Sequence, residues 1–170
     1  MGVTVHFEGQ VCDERAYARL IDIARSFAAK QGWHVTAIDE PAAKLSRVRG
    51  EKEWDYVGPT KGLHIEPHAS SEPIRLEFDR DFYLQEFTKT QFAPPEVHRA
   101  LIALLDELAP CFSKFEVVDE AEYYERRDEE VLLQHRERCF AVLDEHLAND
   151  KTLRGPVRLP SGRIADLVRS

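Results

Sequence analysis

The chain has 170 residues, 43% of them hydrophobic and 32% charged, the size and composition of one globular domain able to bury a core without disulfides or a structural metal. Its formal net charge of -8 argues against generic nucleic-acid binding and against a polybasic contact to an anionic membrane, both of which need a surplus of Lys and Arg. Cys12, Cys111 and Cys139 are too scattered for a disulfide framework or a zinc ribbon, and a reduced, cytoplasmic setting is expected.

The chain opens on a strand-like segment in which Val3, Val5 and Phe7 alternate with Thr4, His6 and Glu8. Neither a signal peptide nor a membrane span is expected. A helix follows: Tyr17, Leu20, Ile21, Ala24, Phe27 and Ala28 recur at helical spacing between a capping Asp13 and a terminating Gly32. Trp33, Val35 and Ala37 then alternate with His34 and Thr36. A strand, helix, strand unit of this length predicts a right-handed crossover between two parallel strands. Short strands are expected over 44–49 and 54–57, separated by Gly50 and closed by the Gly58-Pro59 turn signal. Leu63 and Ile65, then Ile74, Leu76 and Phe78, alternate with polar residues, and 82–92 adds a further strand. The short connections make this an antiparallel meander.

Pro94-Pro95 opens a second helix, whose stripe is Val97, Ala100, Leu101, Leu104, Leu105 and Leu108 and which Pro110 ends. Phe115, Val117 and Val118 mark one more strand, and a third helix is expected over 128–147, with Leu132, Cys139, Leu143 and Leu147 near one face. The strands alternate and are not continuously apolar, so one sheet face meets solvent. The predicted fold is α+β: a two-layer sandwich with a mixed, mostly antiparallel sheet of about six or seven strands and two or three helices mainly on one face. Residues 1–148 form this single domain. The basic tail 149–170 is expected to dock on it or on a neighbouring subunit.

The most specific chemical pattern is His64-x-Glu66-x-His68. On a strand these three side chains share a face at roughly 7 Å intervals, a donor set suited to zinc, manganese or iron. His6 and His34 fall on the same face by parity, while Pro67 interrupts the pleat before His68. A second group, Lys89 and Gln91 with His98 beyond the Pro-Pro entry, is placed to hold an anion near a helix N-terminus, although Pro94 and Pro95 remove two N–H donors. The simpler arrangement keeps Lys89 and Gln91 on the exposed face and packs Phe87 and Phe92. Tyr123 and Tyr124 stand in an acidic run from Asp119 to Glu130 and either anchor that loop or contact a partner. His135 and Cys139 are a helical pair four residues apart. The glycines of 58–62 lack the phosphate-loop spacing, no G-x-S-x-G elbow is present, and H-x-E occurs without P-C-x-x-C.

Two readings follow. One is a non-catalytic binding or protein-interaction module for a protein or small-molecule partner, an acidic counterpart to a basic partner being one version. The other is a metal-dependent enzyme built on His64, Glu66 and His68, with zinc or another divalent metal as cofactor.

Overall fold

The computed structural model describes residues 2–170. β1 (Thr4–Gln10) leads into α1 (Glu14–Gln31), which starts where the Asp13 carboxylate accepts the Ala16 N–H at 2.8 Å and stops at Gly32, in the left-handed region at φ 72°. β2 (His34–Arg49) and β3 (Lys52–Glu66) form one long hairpin. β4 (Ile74–Phe78), β5 (Tyr83–Lys89), α2 (Pro95–Leu108), β6 (Lys114–Asp119), the short α3 (Tyr123–Arg126) and α4 (Glu129–Asn149) follow. The final segment carries β7 (Leu153–Arg154), β8 (Val157–Arg158), β9 (Ile164–Ala165) and β10 (Val168–Arg169).

The α+β class holds, but the single six- or seven-stranded sheet does not. The strands divide into two three-stranded sheets, β2-β3-β4 and β5-β1-β6, and two small ladders, β7 with β10 and β8 with β9. Every strand pairing among the described residues is antiparallel, so the expected parallel pair is corrected as well. β1 takes β5 and β6 as neighbours, while the hairpin commits β2 to β3, and the two strands end in different sheets. The short strands expected over 44–49 and 54–57 are the far ends of β2 and β3, which run on through Pro41 and Pro59. Both prolines lie at a register shift between Glu40 and Ala43, where the ladder is interrupted and a missing N–H costs no bond.

The division falls between β4 and β5. Their backbones meet at its two ends, Asp79 N–H to Tyr83 O and Glu72 N–H to Lys89 O, both at 3.0 Å. Helices α1 and α2 cover the inner side of both sheets. Leu20, Ala24 and Phe27 of α1 and Leu101, Leu104 and Leu105 of α2 share one buried cluster with Phe7, Leu63, Ile74, Leu76 and Phe78, each leucine, isoleucine and phenylalanine contributing about 1.5–3 kcal/mol by burial. β3 and β4 approach so closely that a Cβ on Gly62 would stand 1.6 Å from the Leu76 carbonyl oxygen. α4 is mostly solvated. It sends Leu132 into a small second cluster with Val3 and Ala121, and Asp128 caps its start. No helix among the described residues is long and apolar enough to cross a membrane.

Candidate functional site

The three residues of the histidine strand are not brought together. His64 Nε2 stands 3.9 Å from Glu66 Oε1, but His68 turns to its own loop and accepts the Ser70 N–H on Nδ1 at 2.9 Å. His34 lies opposite Glu66 in the β2–β3 ladder, whereas His6 sits in the other sheet beside Phe87 and Glu120. Burial, and then the Arg75 guanidinium facing it across β4, push the His64 imidazole below its usual range. The same guanidinium repels a metal dication. Among the described residues no group of three or more His, Cys, Asp or Glu side chains is placed to hold a metal ion.

Lys89 and Gln91 do converge, but on the chain's own tail: each donates to Asp166 Oδ1 at 2.8 Å, and Lys89 Nζ also reaches the Ile164 carbonyl at 2.9 Å. The simpler expectation for this stretch holds for Phe92, which packs against Phe140 with ring centroids 6.0 Å apart, and fails for Gln91 and Phe87. Gln91 is fully buried and Phe87 is 39% exposed. Register is the reason, since Leu84 and Thr88 point inward with Val5 and Phe7, which turns Phe87 outward. His98 joins neither residue. It is buried between Thr90 Oγ1 at 2.7 Å and Asp119 Oδ2 at 2.9 Å.

By residue type Thr90, His98 and Asp119 resemble a nucleophile relay, yet all three are buried and closed to substrate. What they do is tie α2 to β5 and β6. Burial pushes the Asp119 carboxyl up, but His98 and the Ala121 and Tyr124 N–H groups outweigh it and hold the group below the usual carboxylate range. Tyr123 meets the His98 ring edge-on at 6.2 Å, and Arg127 lies over Tyr124 at 5.2 Å. Both tyrosines therefore anchor α3 to the core. His135 bonds Glu122 at 2.6 Å and the Cys139 thiol faces Gln91 at 3.5 Å, so they form no ligand pair.

Two arginines take the place of a strand in the gap between β4 and β5. Arg47, 2% exposed, donates from Nη1 to Gln85 O at 3.2 Å and from Nη2 to Tyr83 O at 3.5 Å, with Asp79 at 3.6 Å. Arg163 arrives from the tail. Its Nη1 donates to Phe87 O at 2.6 Å and Glu72 at 3.2 Å, its Nη2 to Glu86 at 3.0 Å, and its guanidinium lies 3.7 Å above the Phe87 ring. Strand carbonyls that a neighbouring ladder would pair are satisfied by guanidinium groups. The outer end of β2 is fastened in the same way. Gln85 accepts the Val48 N–H at 2.8 Å and donates to the Val48 carbonyl at 2.6 Å, the two bonds a partner strand would make.

Held there, the β2–β3 arm arches over the outer face of the β5-β1-β6 sheet and encloses a cleft of about 690 Å³, within the roughly 300–1,000 Å³ of typical ligand sites. Its floor is two rows of cross-strand neighbours: Phe87, His6 and Val118, then Gln85, Glu8 and Glu116. Leu45 and Val48 supply the arm-side wall, and Ser161 and Arg163 line the cleft from the tail. Val118 is 52% and Val48 47% exposed, so the cleft presents open apolar surface. Glu8 accepts from the Tyr83 hydroxyl and from Gln85 Nε2 at 3.0 Å. Burial pushes the Glu86 carboxyl up, against the pull of Arg163 and Arg75 and with reinforcement from Glu77.

Sequence reasoning did not single out Arg47, Gln85, Glu86 or Arg163. One trace was legible: Arg163 belongs to the basic tail expected to dock on the domain, whereas Phe87 is expected to pack and instead faces outward. No protein-family model, curated protein or solved structure matches the chain, and the functional reading rests on this geometry.

Proposed function

We propose that the chain is a non-catalytic binding module whose cleft takes a short segment of a partner protein, one that carries a basic side chain next to an apolar one. The observation that carries this reading is the floor of the cleft, where exposed Phe87 and Val118 lie one row from Glu8 and Glu116. Apolar side chains on the incoming segment would cover Phe87, Val118 and Val48. A basic side chain would relieve the repulsion of two carboxylates directly opposite each other on neighbouring strands. The net charge of -8 favours the same class of partner over long range. A metal-dependent reaction at His64, Glu66 and His68 gains no support, since Arg75 faces His64 and His68 points elsewhere.

Selection of displayed random peptides on the purified chain tests this. Bound sequences are expected to be enriched in Arg or Lys beside an apolar residue. Val118→Asp and Glu116→Lys should each weaken them at least about tenfold, while Val57→Asp, on the arm outside the cleft, should leave affinity unchanged. No enrichment, or peptides that bind the Val118→Asp chain as tightly, would overturn the reading.

A further inference from the structure

The tail residue Arg163 sits in a built receptor for a guanidinium group. The Phe87 ring lies under it, its own Phe87 carbonyl accepts from it, and two carboxylates grip it: Glu72, 2% exposed in its side chain, and Glu86, 9% exposed. These elements belong to the body of the fold. The guanidinium comes from a segment that reaches them from the chain's far end, with a sequence separation of 76 from Phe87.

We infer that residues 156–170 are a displaceable strap, with Arg163 as a resident stand-in for an arginine of the partner segment. The inference rests on the binding reading above and names the side chain that the closed end of the cleft accepts. The specificity follows from what removal would leave behind. With Arg163 withdrawn, Glu86 and the Phe87 carbonyl lose their donor and nearly buried Glu72 loses its counter-charge, keeping from the body only the Lys89 N–H at 3.0 Å, an unfavourable state unless another fork of N–H groups replaces it. A guanidinium does this in full. An ammonium, a point charge, cannot bridge two carboxylates and a carbonyl while stacking on a ring.

The strap is suited to exchange. Around the site it consists of the two-residue strands β8 and β9, and among the described residues its one buried apolar side chain is Ile164. Its other anchors are polar and can be competed for: Arg158 to the Ala69 and Ser71 carbonyls, Lys89 and Gln91 to Asp166, Lys89 to the Ile164 carbonyl, the Ile164 N–H to Glu72 at 2.9 Å, and the short β7–β10 ladder. Segments held this way open locally at a fraction of the global unfolding free energy. Because Ser161 and Arg163 also line the cleft, the strap in place shortens the groove available to a partner.

The test uses the full-length chain, as wild type and as Arg163→Ala, with a synthetic peptide of residues 156–170 and two versions of it carrying Arg163→Ala and Arg163→Lys. The Arg163→Ala chain is expected to bind the unaltered peptide at least about tenfold more tightly than the alanine peptide, with the lysine peptide between them. The wild-type chain should bind the unaltered peptide at least about tenfold more weakly than the variant chain does, because the attached tail competes at high effective concentration. Equal affinity for all three peptides, or equal affinity of the two chains, overturns the inference.

A second measurement does not depend on how well the variant folds. Arginine-bearing peptides selected on the wild-type chain should accelerate hydrogen exchange of the Ile164 amide. If they saturate the chain and leave that exchange unchanged, the strap is refuted while the cleft remains a binding site. If no peptide binds either chain, the binding reading falls and takes the strap with it.

Discussion

His98 and Asp119 show how a residue that looks functional serves the fold. Asp119 is almost wholly buried, and its oxygens are filled by His98 at 2.9 Å and by the Ala121 and Tyr124 N–H groups at 2.9 Å each. Removing one partner of such a group leaves a buried charge underbonded, so His98→Ala is expected to cost about 3 kcal/mol in urea unfolding. The pH dependence has a fixed sign. Asp119 is held below its ordinary carboxylate range in the folded chain, so its contribution is present above the unfolded value of about 3.9 and is lost as pH falls through the folded one. The stability gap between wild type and Asp119→Asn should therefore shrink as pH falls below about 3.9. A gap that persists unchanged down the acid limb would show that the Asp119 charge is not what holds α2 to β6.

Among the elements, the β2–β3 arm decides whether a cleft exists at all. Two side chains hold its outer end against the sheet, Arg47 through the Tyr83 and Gln85 carbonyls and Gln85 through the Val48 backbone. Gln85→Ala removes both bonds to Val48 while leaving Arg47 in place, and is expected to raise the hydrogen-exchange rate of the Val48 amide with a loss of global stability of only about 1 kcal/mol. If global stability falls by several kcal/mol instead, the arm is part of the cooperative core and cannot act as an adjustable wall. α1 and α2 were legible in the sequence because their apolar stripes and their ends, Asp13, Gly32 and Pro95, are local signals. The arm was not. Gly58-Pro59 reads as a turn, whereas in the ladder it coincides with a bulge, opposite Pro41, that absorbs it. The split between β4 and β5 was equally hidden, because it depends on Arg47 and Arg163 arriving from 38 and 76 positions away, and no local pattern encodes that.

For the whole molecule, charge and architecture make separate contributions to binding, and these can be measured apart. The 31 acidic residues outnumber the 23 basic ones, and the net negative charge acts at long range. Such a field attracts a basic segment from beyond contact distance but fades over a Debye length. The cleft contacts, in contrast, are short-range: a ring, two valines and carboxylates, several of them shielded from solvent. Raising the salt until the Debye length falls from about 30 Å to about 10 Å should slow association of a selected basic peptide by about tenfold or more. Dissociation should change by less than about twofold, since contacts within a packed site are screened far less. Stopped-flow rates at several ionic strengths separate the two. Salt dependence confined to dissociation would mean that the exposed acidic surface, rather than the cleft, holds the peptide, and the roles assigned here to Phe87, Val118 and the Arg163 receptor would not stand.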